Sequence, residues 1–153
     1  MPNSGRKVRN EMAKHERLQE LMKGRPALDQ VLFESIDHLL FMAFVLVGKV
    51  GMRPEEVLSL TWPAVDLVDG QLLLEEGVLR LDEPLVEMLF RTATRRREDR
   101  RRSSSWRASE WLFVDENGYR YIRADADTSL VRFCQRVGVT PVPLAELASL
   151  DLH

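Results

Sequence analysis

Leu39 to Gly48, "LLFMAFVLVG", runs for ten residues without a charged or polar side chain. A bilayer span needs about 20 such residues, so this run is too short to cross a membrane. A helix that is apolar on every side has to be enclosed by the rest of its own domain. Upstream, Val31, Leu32 and Ile36 keep helical spacing with Leu39, Leu40, Ala43, Phe44, Leu46 and Val47. The pattern therefore predicts one long central helix from an Asp29 N-cap to about Gly48, ended by "GKVG". A chain of 153 residues that is 44% hydrophobic can bury such a helix within one domain.

Shorter elements follow. Pro54 opens a helix, since its missing N–H costs nothing in a first turn. Glu55 and Glu56 suit the positive end of that helix, and Val57, Leu58, Leu60 and Trp62 supply its packing side before Pro63 stops it. "AVDLV", "QLLLEE" and "VLRLD" read as three short strands separated by "DG" and "G" turns. Asp82 is placed to cap the next helix, "EPLVEMLFRTATRRRE", whose tail runs into an expected loop, "RRREDRRRSSSWR". "WLFVDENGYRYI" suggests a hairpin around Asn117-Gly118. A helix is expected from about Asp127 to Val137 with Gly138 at its C-terminus, and "LAELASL" suggests a last short helix. The fold class is mainly α with a small antiparallel β-sheet. Residues 28–153 form the expected domain, and residues 1–27 a basic N-terminal segment with a thin apolar stripe from Val8 to Met22.

The net charge of -2 hides strong blocks. Residues 1–28 hold seven Lys/Arg against three Asp/Glu, and residues 29–90 hold three against twelve. Residues 91–107 hold eight against two, and residues 108–153 four against seven. A polyanion responds to such local blocks rather than to the total. The single cysteine, Cys134, excludes an internal disulfide and fits a reducing, cytoplasmic setting. The charged N-terminus lacks the apolar stretch of a signal peptide. His15, His38 and His153 have no cysteine or carboxylate at ligand spacing, so neither a metal site nor any other cofactor is expected. Ser103, Ser104 and Ser105 lack the setting of a nucleophile, and no phosphate-cradling glycine loop or small-molecule site is evident.

The order of elements is informative. A long apolar helix, "G-M-R-P-E-E-V-L-S-L-T-W", "V-D-L", a small sheet, a helix, "W-L-F-V", a helix and then "V-G-V-T-P" resembles the catalytic domain of tyrosine recombinases, the phage integrases, over roughly residues 28 to 147. The most specific block joins Gly51, Met52, Arg53 and Glu56, followed by Trp62 and Asp66. The resemblance makes Arg53 the counterpart of the family's first catalytic arginine, which holds the scissile phosphate with its planar fork. On the residues alone, pairing of Arg53 with Glu56 or with other acidic neighbours is the competing reading.

The same resemblance shows what this sequence lacks. The family carries a lysine on the hairpin of its small sheet, whereas "LLLEEGVLRL" has Glu75 and Glu76 near the turn. After its Thr-Pro the family has a histidine and, three residues on, an arginine. Here those positions hold Val142 and Ala145. A further helix bearing the nucleophilic tyrosine is expected after that point, but the sequence stops at His153, and Tyr119 and Tyr121 come well before it. One member of a catalytic unit does not compensate for its lost partners. No catalytic residue is therefore assigned, and the expectation is a protein that is not an enzyme. A truncated but active integrase is disfavoured because Val142 and Ala145 lie inside the chain.

The DNA-binding candidates are Arg53, the arginine run Arg95, Arg96, Arg97, Arg100, Arg101 and Arg102, and Arg107 beside Trp106. Arginine clusters engage phosphates through charge and forked donors, and Trp106 is placed to stack on a base or to pack on the core. The basic N-terminal segment suits either an arm along a phosphate backbone or a helix lying on the domain. Two functions follow: an inactive, regulatory DNA-binding protein of phage or mobile-element type with duplex DNA as partner, or a protein-interaction module docking on a larger machine such as a polymerase or recombination complex.

Overall fold

The structure, a computed structural model, describes residues 25–102 and 110–151, and the side chains among them except those of residues 96, 97 and 99–102. The expected Val8–Met22 helix, Ser103, Ser104, Ser105, Trp106, Arg107, His15 and His153 lie outside the described residues.

The helices are α1 (Pro26–Glu34), α2 (Phe41–Val45), α3 (Pro54–Leu58), α4 (Glu83–Arg102) and α5 (Arg123–Arg136). A π-helical turn, Leu46–Val50, continues α2 without a gap. Strands β1 (Val65–Asp66), β2 (Gln71–Leu74) and β3 (Gly77–Arg80) form an antiparallel sheet in the order β1-β2-β3. The described chain is thus mainly helical with one small sheet.

The apolar run sits where its composition requires. Met42, Ala43, Phe44, Val45, Leu46 and Val47 are all buried, with α1, α3, α4 and the 3-10 helix Leu144–Ser149 packed around them. Each fully buried side chain of this size contributes about 1.5–3 kcal/mol relative to exposure.

The single long helix from Asp29 is not what forms. α1 starts at Pro26, Asp29 lies within its first turn, and the chain leaves the helix from Ser35 to Leu40. Local polar groups divert the backbone there. Ser35 Oγ donates to the Leu32 carbonyl, the His38 N–H donates to the Ser35 carbonyl, and His38 Nδ1 accepts the Leu40 N–H. Such side-chain bonds offer the backbone an alternative to the helical ladder. His38 is half-buried in this turn. Its ring packs against Phe44, Tyr121 and Phe133.

Three other boundaries move. α5 begins at Arg123, four residues before Asp127, and Asp127 Oδ1 accepts the Leu144 N–H at 2.7 Å. "LAELAS" forms a 3-10 helix. Residues 95–102 of the expected arginine loop belong instead to the 20-residue α4, which is helical through Arg102. At the end of α5, Gly138 takes φ 74°, its N–H reaches the Gln135 carbonyl, and the Val139 N–H reaches Cys134. These are the two bonds of a Schellman cap, which requires a left-handed residue at that position. The segment around Asn117-Gly118 pairs through a single Val114–Arg120 bridge.

Entry and exit of the described chain are tied together. Arg25 donates to the carbonyls of Gly48 at 3.0 Å and Leu150 at 2.7 Å, and also to Ala148. Asp151 accepts the Leu28 N–H at 3.1 Å, satisfying a donor that the first turn of α1 leaves open.

Candidate nucleic-acid interface

Arg53 is aimed outward by the residues around it. The π-turn ends at Gly51, in left-handed conformation with φ 86°. The chain then extends, with Arg53 at φ -75°, ψ 144° as the N-cap residue of α3. Met52 and Pro54 on either side are buried, so alternation along extended backbone turns the Arg53 side chain to the surface. Its side chain is 70% exposed.

Arg53 does not pair with Glu56. Its Nη2 lies 3.3 Å from Glu76 Oε1, on a side chain 77% exposed. Leu74 pairs with Gly77, so Glu75 and Glu76 form the two-residue turn of the β2–β3 hairpin. The sheet therefore carries its turn to the arginine and delivers a carboxylate there. A pair so open to water adds at most about 1 kcal/mol to stability.

Two further arginines, not singled out from the sequence, flank the same short helix. Arg123 pairs with Glu55 of α3. Arg120 Nε donates to the Leu58 carbonyl at 3.0 Å, and its Nη2 to Ser59 Oγ at 2.8 Å. The Arg120 guanidinium also lies 4.3 Å from the centre of the Trp111 ring, a cation–π contact. Glu55 and Ser59 are four residues apart, so Arg123 and Arg120 both reach one side of α3. These contacts span more than 60 residues of chain, and no local pattern announces them.

The arginine run is on a different element. Residues 91–102 of α4 carry seven arginines against Glu98 and Asp99. Arg91 and Arg95 are exposed, and the backbone is helical at Arg96, Arg97, Arg100, Arg101 and Arg102. The C-terminal turns of a helix favour cations, which helps α4 tolerate this density.

The other residues singled out in the sequence are placed by the fold as follows. Val142 packs against the core and Ala145 is exposed on the 3-10 helix. Tyr121 is buried, whereas Tyr119 is 55% exposed beside the Gly118 turn. Cys134 is buried, and burial pushes its thiol above the usual range, so it stays protonated at neutral pH. Among the described residues no cluster of three His, Cys, Asp or Glu is placed to hold a metal ion. No described helix is long and apolar enough to cross a membrane.

No protein-family model and no curated protein matches the sequence. Among solved structures, the fold is similar to the crystal structure of XerA recombinase, with a TM-score of 0.64 at 15% sequence identity. The match covers 81% of this chain and 46% of that one, so the chain spans a little under half of that recombinase. The described chain therefore has a tyrosine-recombinase-like fold.

Proposed function

We propose that this chain is a catalytically inactive, recombinase-fold protein that binds duplex DNA in a regulatory role of phage or mobile-element type. The single observation that carries the reading is the continuation of α4 to Arg102. It concentrates Arg95, Arg96, Arg97, Arg100, Arg101 and Arg102 within the final turns of one helix. A cationic helix end of this kind engages phosphates without reading bases. Arg53 is a second, weaker phosphate contact, held in reserve by Glu76, and Trp106 with Arg107 extends the basic segment in sequence.

Inactivity is supported by positions inside the chain. Glu75 and Glu76 stand where a lysine is needed, and Val142 and Ala145 replace a proton-transfer group and a second phosphate clamp. Arg53 alone stabilises charge on a phosphate but neither attacks it nor protonates a leaving group.

Fluorescence anisotropy with labelled duplex DNA tests the binding. If about six phosphates are neutralised, affinity falls roughly a thousandfold between about 50 and 200 mM salt. Absence of binding at low salt overturns the reading. Formation of a covalent protein–DNA adduct on a suicide substrate overturns the inactive assignment.

A second reading, a docking module for a larger protein machine, is favoured by the outer side of the hairpin. Leu73 and Val78 are cross-strand partners and both exposed, beside the acidic turn. Partners recovered from nuclease-treated lysate, and lost when Leu73 and Val78 are changed to Thr, support that function over the first.

A further inference from the structure

We infer that Glu76 is an internal competitor for phosphate at Arg53: its carboxylate occupies the guanidinium that a phosphodiester has to engage. The inference rests on the DNA-binding reading and adds to it the residue that limits the site. The carboxylate reaches Arg53 from the tip of a two-residue turn, in a single contact of 3.3 Å between side chains that are 70% and 77% exposed. A carboxylate and a phosphate present the same kind of oxygen acceptors to a guanidinium fork. The two ligands therefore exclude each other wherever they share donors.

The geometry makes this competitor a weak one. The contact is not bidentate, and both partners remain in water, where an ion pair is strongly screened. A phosphodiester offering two oxygens can displace Glu76 without unfolding the hairpin, because the Leu74–Gly77 pair that closes the turn involves only backbone. Arg53 is thus open to a phosphate presented on a polyanion already held elsewhere, and poorly open to an isolated one. Glu75, adjacent on the same turn, supplies an internal control, since removing its charge changes the net charge equally.

Anisotropy titrations of one labelled duplex at fixed low salt test the inference with E76Q, E75Q, R53A and the R53A/E76Q double variant. All three positions are exposed and outside the core, and circular dichroism verifies that each variant keeps the fold. E76Q is expected to bind about three- to fivefold tighter than wild type. E75Q is expected to gain less, and E76Q to give no such gain when Arg53 is absent. Equal gains from E76Q and E75Q, or a gain from E76Q that survives R53A, overturn the inference while leaving DNA binding intact.

A second measurement is independent of DNA. Inorganic phosphate is titrated while the Arg53 side-chain Nε–H resonance is followed by NMR. The resonance is expected to move at lower phosphate concentration in E76Q than in wild type, and identical titration curves overturn the inference. Failure of wild type to bind duplex, with the phosphate titrations still separating, removes the DNA reading and keeps the competition at Arg53.

Discussion

Lys49 Nζ lies 2.7 Å from Asp29 Oδ1, and the two side chains are only 8% and 22% exposed. The pair joins the π-turn to the first turn of α1. Lys49 is the more enclosed partner, so the two halves of the pair are not equivalent. Asp29→Ala strands an ammonium with little access to water and is expected to destabilise the fold by about 3 kcal/mol. Lys49→Met leaves a carboxylate that water still reaches and keeps the packing of the alkyl stem, so it costs clearly less. Urea denaturation of the two variants measures the asymmetry, and equal losses contradict it.

Gly48 allows a close approach. A Cβ there meets Leu28 Cδ1 at 2.9 Å and Leu147 Cγ at 3.4 Å, and both leucines are fully buried. Gly48→Ala is expected to lower stability by about 1–2 kcal/mol, as overpacking does when neighbours have little room to move. A thermal melt that is unchanged or raised shows that Leu28 repacks freely.

Asp66 makes one part of the acid response calculable in sign. The Asp69 backbone N–H, assisted by Gln71 and Val68, holds its carboxyl below the usual value of 3.8 against a lesser opposing effect of desolvation. The folded chain therefore gives up this proton more readily than the unfolded chain. Its stabilisation is complete above the unfolded value and is lost as pH falls through the folded one. The stability difference between wild type and Asp66→Asn is expected to be constant above about pH 5 and to close in more acid solution. A difference that grows on acidification reverses the assignment.

The α4 arginines give a quantitative signature. Changing Arg100, Arg101 and Arg102 together to Ala retains helix propensity, because Ala is the best helix former. The magnitude of the slope of log K against log salt is expected to fall by about 2.7 if all three contact phosphates. An unchanged slope assigns the DNA contacts to other residues.

The elements legible in the sequence were those whose cause is local. Pro54 opening α3, the burial of Met42 to Val47, the β2–β3 hairpin and Gly138 closing α5 all follow from periodicity or from one residue's backbone preference. The break at Ser35 to Leu40 was not legible, because it is built from three small hydrogen bonds with neither Gly nor Pro to announce it. The helix before the arginine run was legible, but its continuation to Arg102 was not, because a dense run of like charges carries no helical signal of its own. Each such repulsion costs a helix only about 0.2–0.5 kcal/mol, which arginine's good propensity and the favourable helix end offset. At the candidate site, Arg53 and an acidic partner for it were legible from the sequence context, but which acidic residue pairs with it was not. Glu56 was the near choice, whereas Glu76 lies 23 residues away and arrives only once the sheet has formed. Arg120 and Arg123 were missed for the same reason.

The clasp of Arg25 on the carbonyls of Ala148 and Leu150, completed by Asp151 on the Leu28 N–H, fixes positions 25 and 151 as neighbours. Any polypeptide joined before the one and after the other departs from a common anchorage. A circular permutation of residues 25–151 needs only a brief bridge there, with new ends cut at the Asn117-Gly118 turn. Two modules tethered directly to positions 25 and 151 are held at high effective concentration with respect to each other.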